Sequence, residues 1–186
     1  MRKFLSLFTI CLLAVTMARA TEVTLQMSDL YGSENVQPAT DVSSNGFTFS
    51  FDKGNSQTQP MYHSSGEMRL YGGSKDKLDG NTMTVTSTVN ITKMVLSDGS
   101  NFTYGEVKAN TGSVNYDANS KTLTWTGSAK SVVLTVCRAD ANTAAQFRFA
   151  KAVMTSDGQG EVTVSTPTLF QKRCIFKSTK KEMVKG

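Results

Sequence analysis

Between Gly66 and Leu96 the sequence changes polarity at every second residue. Glu67-Met68-Arg69-Leu70-Tyr71, Asn81-Thr82-Met83-Thr84-Val85-Thr86 and Ile91-Thr92-Lys93-Met94-Val95-Leu96 are three short alternating runs, and turn residues separate them. Successive side chains of an extended chain point to opposite faces, so this pattern buries one face and wets the other. A helix would scatter the same residues around its circumference. The stretch therefore predicts adjacent antiparallel strands. Met68 and Leu70 share the inner face, with Arg69 and Tyr71 on the outer one. In the last run Ile91, Met94 and Leu96 fall out of step by one residue, and a bulge near Lys93 restores the register.

The same grammar recurs on both sides. Glu22–Met27 alternates Val23, Leu25 and Met27 with polar partners. In Phe47-Thr48-Phe49-Ser50-Phe51-Asp52 three rings lie at period two; burying each is worth about 1.5–3 kcal/mol, enough to nucleate a core. Ser113–Tyr116 and Lys121–Thr126 flank the four-residue connection Asp117-Ala118-Asn119-Ser120. Ser131–Val136 puts Val132, Leu134 and Val136 on one face. Asp29–Asn45 and Asp98–Gly112 read as loops, the first with room for a short edge strand. Ala139–Met154 is ambiguous: Asp140 could cap an alanine-rich helix, whereas Phe147-Arg148-Phe149 alternates like a strand, and a strand over Gln146–Thr155 fits the surrounding pattern better. Glu161–Ser165 is strand-like. About nine or ten short strands, spaced by turns, predict an all-β fold: a two-sheet antiparallel sandwich, jelly-roll-like.

The ends differ from the body. Met1-Arg2-Lys3, the apolar run Phe4–Val15 and Ala18-Arg19-Ala20 have the form of a secretory signal peptide cut after Ala20. Cys11 is a poor lipid acceptor, because Phe8-Thr9-Ile10 before it lacks small residues. The expected organisation is thus a leader at 1–20, a β-sandwich domain at 21–165 and a basic tail at 166–186. The expected location is secreted or cell-surface, with no transmembrane segment. Cys137 and Cys174 remain after the leader. An exported protein could pair them, but Cys137 lies in a strand-like run, where a buried thiol is the simpler reading. The formal charge of +5 misleads. Three of the basic residues lie in the leader, and Lys172, Arg173, Lys177, Lys180, Lys181 and Lys185 lie in the tail. Between Thr21 and Ser165 eleven basic residues face fourteen acidic ones. A protein-wide basic footprint for nucleic acid is therefore absent.

Several of these runs form an ordered series: Phe47–Asp52, Arg69-Leu70-Tyr71-Gly72, Met83-Thr84-Val85, Ile91-Thr92-Lys93-Met94, Trp125-Thr126-Gly127, Val132–Val136 and Gln146-Phe147-Arg148. The series, over Phe47–Thr155, resembles the small β-sandwich modules of secreted and surface proteins of Bacteroidetes. The resemblance implies fold and export more than activity; adhesion or glycan binding is what the setting implies. The stretch after Pro167 departs from it.

No run specifies a chemistry. His63 is the sole histidine, and no Gly-x-Ser-x-Gly elbow accompanies it. The acids Asp76, Asp79, Asp98, Asp117 and Asp157 fall in turns, where carboxylates ordinarily bond the turn's own backbone; Glu67, near a strand start, is the exception. One histidine and two separated cysteines do not make a zinc site, and the oxygens of Asp76–Asn81 and Asp98–Asn101 follow no EF-hand spacing. No catalytic residue, metal or cofactor is assigned. Sugar-binding sandwiches offer aromatic rings beside polar donors, which points to Tyr71 with Arg69, and to Tyr62 and Tyr104 in loops. Trp125, alone in a strand, belongs to the core and needs a buried partner for its indole N–H. The expected function is an exported binding or adhesion module, with glycans the favoured ligand. The alternatives are a secreted hydrolase acting on glycans and a structural surface subunit assembling through edge strands.

Overall fold

The computed structural model of the protein describes residues 20–100 and 105–158. In chain order its elements are β1 (Thr21–Gln26), α1 (Met27–Tyr31), β2 (Val42–Ser44), β3 (Phe47–Asp52), β4 (Met61–His63), β5 (Glu67–Tyr71), β6 (Asp79–Ser97), β7 (Glu106–Ala109), β8 (Ser113–Asp117), β9 (Thr122–Cys137), β10 (Gln146–Phe149) and β11 (Lys151–Ser156).

Two long strands set the architecture. β6 and β9, of 19 and 16 residues, pair antiparallel with Met83 opposite Leu134, Val85 opposite Val132, Met94 opposite Trp125 and Leu96 opposite Leu123. All eight of these side chains are buried. The register slips between Thr86 and Ile91 and again between Ile91 and Lys93, which divides the ladder into two halves. In the first half β3 pairs with β6, β2 with β3, and β7 with the end of β9. In the second half β11 pairs with β6, β1 with β11, and β8 with the start of β9. The result is one eight-stranded antiparallel sheet. The second sheet has three strands in the order β10-β5-β4, and Val36 adds a bridge to Tyr62 at its β4 edge.

The inner faces of both sheets contribute to one buried cluster. Phe47, Phe49, Met83, Val85, Ile91, Met94, Leu96, Leu123, Trp125, Val132, Leu134 and Met154 come from the large sheet, and Tyr62, Met68, Leu70, Phe147 and Phe149 from the small one. Trp125 is fully buried. Its Nε1 donates to the Thr111 carbonyl at 2.6 Å, and Gly127 lies so close that a Cβ there would come within 2.6 Å of the ring. The core role expected of this residue holds, and the partner its indole N–H needs is a backbone carbonyl.

The all-β, two-sheet antiparallel expectation holds, with eleven strands among the described residues and an unequal division of eight and three. The expected bulge is present. Thr155 opposes Lys93 and Ser156 opposes Ile91, so Thr92 has no counterpart; its hydroxyl donates to the Thr155 carbonyl at 3.2 Å. The stretch Ala139–Met154 is not helical, and the strand reading holds from Gln146 onward with one break. At Ala150 the chain leaves the small sheet for the large one, so β10 and β11 belong to different layers. Ala150 is tied at this crossing, its N–H to the Ser97 carbonyl and its carbonyl to the Met27 N–H. β7 runs through a segment read as loop; its single buried residue, Val107, leaves no alternation to read. The leader, Glu161–Ser165, Cys174 and the basic tail lie outside the described residues. Among the described residues no helix is long and apolar enough to cross a membrane.

Replacing Trp125 with alanine should lower the unfolding free energy by about 3–5 kcal/mol, since it empties a fully buried site and orphans the Thr111 carbonyl. Urea unfolding followed by tyrosine fluorescence measures this.

Candidate functional site

The outward face of the small sheet carries the candidate site, and strand register decides who stands on it. In β5 the outer positions are Glu67, Arg69 and Tyr71. Across the ladders Arg69 opposes both Met61 of β4 and Arg148 of β10, Glu67 opposes His63, and Tyr71 opposes Gln146. Tyr71 and Arg69 thus stand together as expected, each half-buried. Tyr62, expected among the ligand-facing rings, does not join them. It pairs with Met68 on the inner face, is fully buried, stacks on Tyr31 with ring centroids 4.9 Å apart, and donates its hydroxyl to the Gly32 carbonyl at 2.7 Å. The reason is parity: Met61-Tyr62-His63 is a strand, not a loop, and its middle residue faces the core. Tyr104 lies outside the described residues.

Arg69 and Arg148 are like charges directly opposed on neighbouring strands, an arrangement that is unfavourable unless something neutralises it. Glu67 does so in part. Its carboxylate lies 3.5 Å from Arg69 and 3.7 Å from Arg148 and accepts the Ser100 N–H. Burial would raise the Glu67 pKa, but the Ser100 hydrogen bonds and the Arg148 and Arg69 charges outweigh it and hold the group below its ordinary value. Glu67 is therefore a carboxylate at neutral pH, not a proton donor. Arg148 is further held by Gln146, at 2.9 Å and 2.7 Å, and by Ser100 Oγ at 3.1 Å. One carboxylate serves two guanidinium groups, and the face keeps a net positive charge.

His63 caps its own turn. Its Nδ1 accepts the Ser65 N–H at 3.1 Å and lies 2.8 Å from Ser65 Oγ, which in turn is 3.5 Å from Glu67. The hydroxyl stands between imidazole and carboxylate, whereas a hydrolytic triad places the imidazole in the middle. Of the acids expected to bond their own turns, Asp117 does so, to Asn119 and Ser120; Asp157 instead bonds Asn90 of β6, and Asp79 lies in β6 bonded to Cys137 and Lys108. Asp98 pairs with Lys151 at 2.8 Å. Among the described residues no three His, Cys, Asp or Glu side chains cluster as a metal site would need. Among the described residues Cys137 is in no disulfide; burial and the Asp79 carboxylate accepting its proton at 3.0 Å push its buried thiol up to about 12.

At the Tyr71 end the outer face runs into a cleft of about 120 Å³ lined by Ser56, Gln57, Thr58, Tyr71, Gly72, Gly73, Arg138, Ala144 and Ala145. Its walls come from four separate segments, each fixed by hydrogen bonds. Asn81, fully buried, accepts the Tyr71 N–H at 2.8 Å and donates to the Lys53 and Thr58 carbonyls at 2.9 Å and 3.0 Å. One side chain thereby joins the first residues of β6 to the end of β5 and to the Ser56–Thr58 wall. Gly72 donates to the Ala145 carbonyl at 2.8 Å, and Arg138 to the Leu78 carbonyl at 3.0 Å. A Cβ on Gly72 would lie 2.8 Å from Ala145 Cβ and 3.0 Å from Arg138 Cγ, so the bare backbone is what lets the Arg138 stem pack against Gly72. Gly80 is equally constrained: a Cβ there would collide with the Tyr71 carbonyl and the Gly72 backbone.

Sequence reasoning missed Arg138, Arg148, Gln146 and the Ser56–Thr58 wall. The alternation of Phe147-Arg148-Phe149 did mark Arg148 as outward. No local pattern marks Arg138, which adjoins Tyr71 only through long-range packing.

Because the folded Glu67 pKa lies below its unfolded value, the stability it confers is present above the unfolded pKa and is lost as pH falls through the folded one. Glu67→Gln should therefore cost about 1–3 kcal/mol at pH 7 and flatten the loss of stability on acidification below about 4.5. Chemical denaturation of both proteins across pH 3–7 checks it. Compared with protein-family models, with curated proteins and with solved structures, the chain matches none.

Proposed function

We propose that this protein is an exported binding module that recognises glycans at the outer face of its three-stranded sheet, centred on Tyr71. The observation that carries this reading is the setting of that ring. Tyr71 is a half-buried aromatic on a rigid strand, opposed by Gln146, two residues from Arg69, and forming one wall of a cleft. Sugar C–H faces pack on aromatic rings, while their hydroxyls need donors and acceptors nearby. Gln146, Ser56, Gln57 and Thr58 are of that kind. A site on paired strands with a bonded backbone loses little entropy when a ligand arrives. The leader-like segment Met1–Ala20 and the resemblance to exported β-sandwich modules support export and a surface-facing role.

The test is affinity gel electrophoresis of the purified chain through soluble polysaccharides and mucin glycans. Retardation by one glycan class, relieved by its free oligosaccharide, is expected. Tyr71→Ala should weaken that retardation about tenfold or more, as loss of a stacking ring does, with a near-native melting temperature because the ring is not in the core. A cooperative melt with no retardation by any glycan would overturn the reading.

A further inference from the structure

Among the described residues, two buried side-chain nitrogens lack any hydrogen-bond partner: Arg69 Nε and Arg138 Nε. Both belong to the surroundings of Tyr71. Arg69 stands two residues away on the same face, and Arg138 lines the same cleft. A buried donor left unpaired is costly, and native proteins seldom leave one without cause. Arg138 is the more telling of the two. Its Nη1 donates to the Ala141 carbonyl at 3.1 Å, and it has no ion-pair partner within 4 Å among the described residues. The nearby Asp140 carboxylate is occupied by the Asn142 and Thr143 N–H groups and the Thr143 hydroxyl. The Asp140 carboxylate feels the Arg138 charge through space but makes no ion pair with it within 4 Å, so the cleft holds a cation with its ion-pairing capacity unused, next to a sheet face on which two further arginines share one carboxylate.

Resting on the reading of Tyr71 as a glycan site, we propose that the cleft receives the carboxylate of an acidic sugar, with Arg138 as its principal partner and the sugar ring lying against Tyr71 outside. Size selects for this division. About 120 Å³ admits a few waters or a small charged substituent, but falls short of the roughly 300 Å³ or more of pockets that enclose whole ligands. Geometry selects for a planar anion: Arg138 Nε is enclosed, so the terminal guanidinium nitrogens are the ones that would meet a carboxylate through two parallel N–H bonds. The glycine at position 72 serves the same end by bringing the Arg138 stem against β5.

The experiment compares polygalacturonate with its methyl ester, which removes the charge and leaves the backbone, and adds dextran sulfate against dextran. Binding of the full chain is measured by calorimetry or gel retardation at physiological salt. Polygalacturonate should bind about tenfold tighter than the ester. In Arg138→Gln the acid-to-ester ratio should fall toward one, and Arg138→Lys, which keeps the charge but loses the fork, should fall between. Equal binding of acid and ester would overturn the carboxylate site while leaving the glycan reading in place. So would a ratio that survives in folded Arg138→Gln, or dextran sulfate binding as tightly as polygalacturonate. Binding to none of the four polymers would overturn the carboxylate site, and together with no retardation by any polysaccharide or mucin glycan it would overturn the glycan reading as well.

Discussion

The pairing of β6 with β9 is the constraint on which the rest depends. Every other strand of the large sheet is hydrogen-bonded to one of these two or to a strand that is. Their shared inner face, from Met83 and Leu134 at one end to Leu96 and Leu123 at the other, supplies much of the buried surface. Strands of this length cannot stay both flat and closely packed, because extended chains twist. The slips in register around Ile91 and the bulge at Thr92 absorb that strain. They keep Ile91 and Met94 on the inner face although the sequence puts two residues between them rather than one.

The small sheet is attached to this frame at a few defined places. Ala150 passes the chain from β10 to β11, and Asn81 bonds the first turns of β6 to Tyr71 and Thr58. The inner side of the small sheet closes the core through Met68, Leu70, Phe147 and Phe149. Its outer side is then free to carry polar groups that the core has no use for. Arginines opposed across a ladder, and guanidinium nitrogens left without acceptors, work against folding. Their concentration around one ring and one cleft is the physical reason for placing function there.

The inner faces were the legible part of the sequence. Met83 and Val85, Phe47 and Phe49, and Val132 to Val136 announce themselves by period two, and even the Ile91–Met94 misstep identified its bulge. Where a segment joins two layers the pattern is silent. Phe147–Phe149 and Ala152–Met154 read as one strand, because nothing local says that Ala150 changes sheets. Tyr62 was misplaced because Met61-Tyr62-His63 is too short to show alternation, and only its pairing with β5 sets which side faces the core. The site was half legible for the same reason. Tyr71 and Arg69 share a run, while Arg138 joins the Tyr71 cleft from 67 positions further along the chain, packing where Gly72 has no side chain.

The most direct measurement is a backbone amide NMR titration of the isotopically labelled protein with oligogalacturonate. The expected result is a contiguous set of shifted amides at Gln57, Thr58, Tyr71, Gly72, Ala144 and Ala145, with the threonines on the face of the large sheet away from the core, Thr82, Thr84 and Thr86 of β6 and Thr135 of β9, unmoved. Shifts confined to that threonine-bearing face, or to the edges of β1 and β8, would contradict a site built around Tyr71.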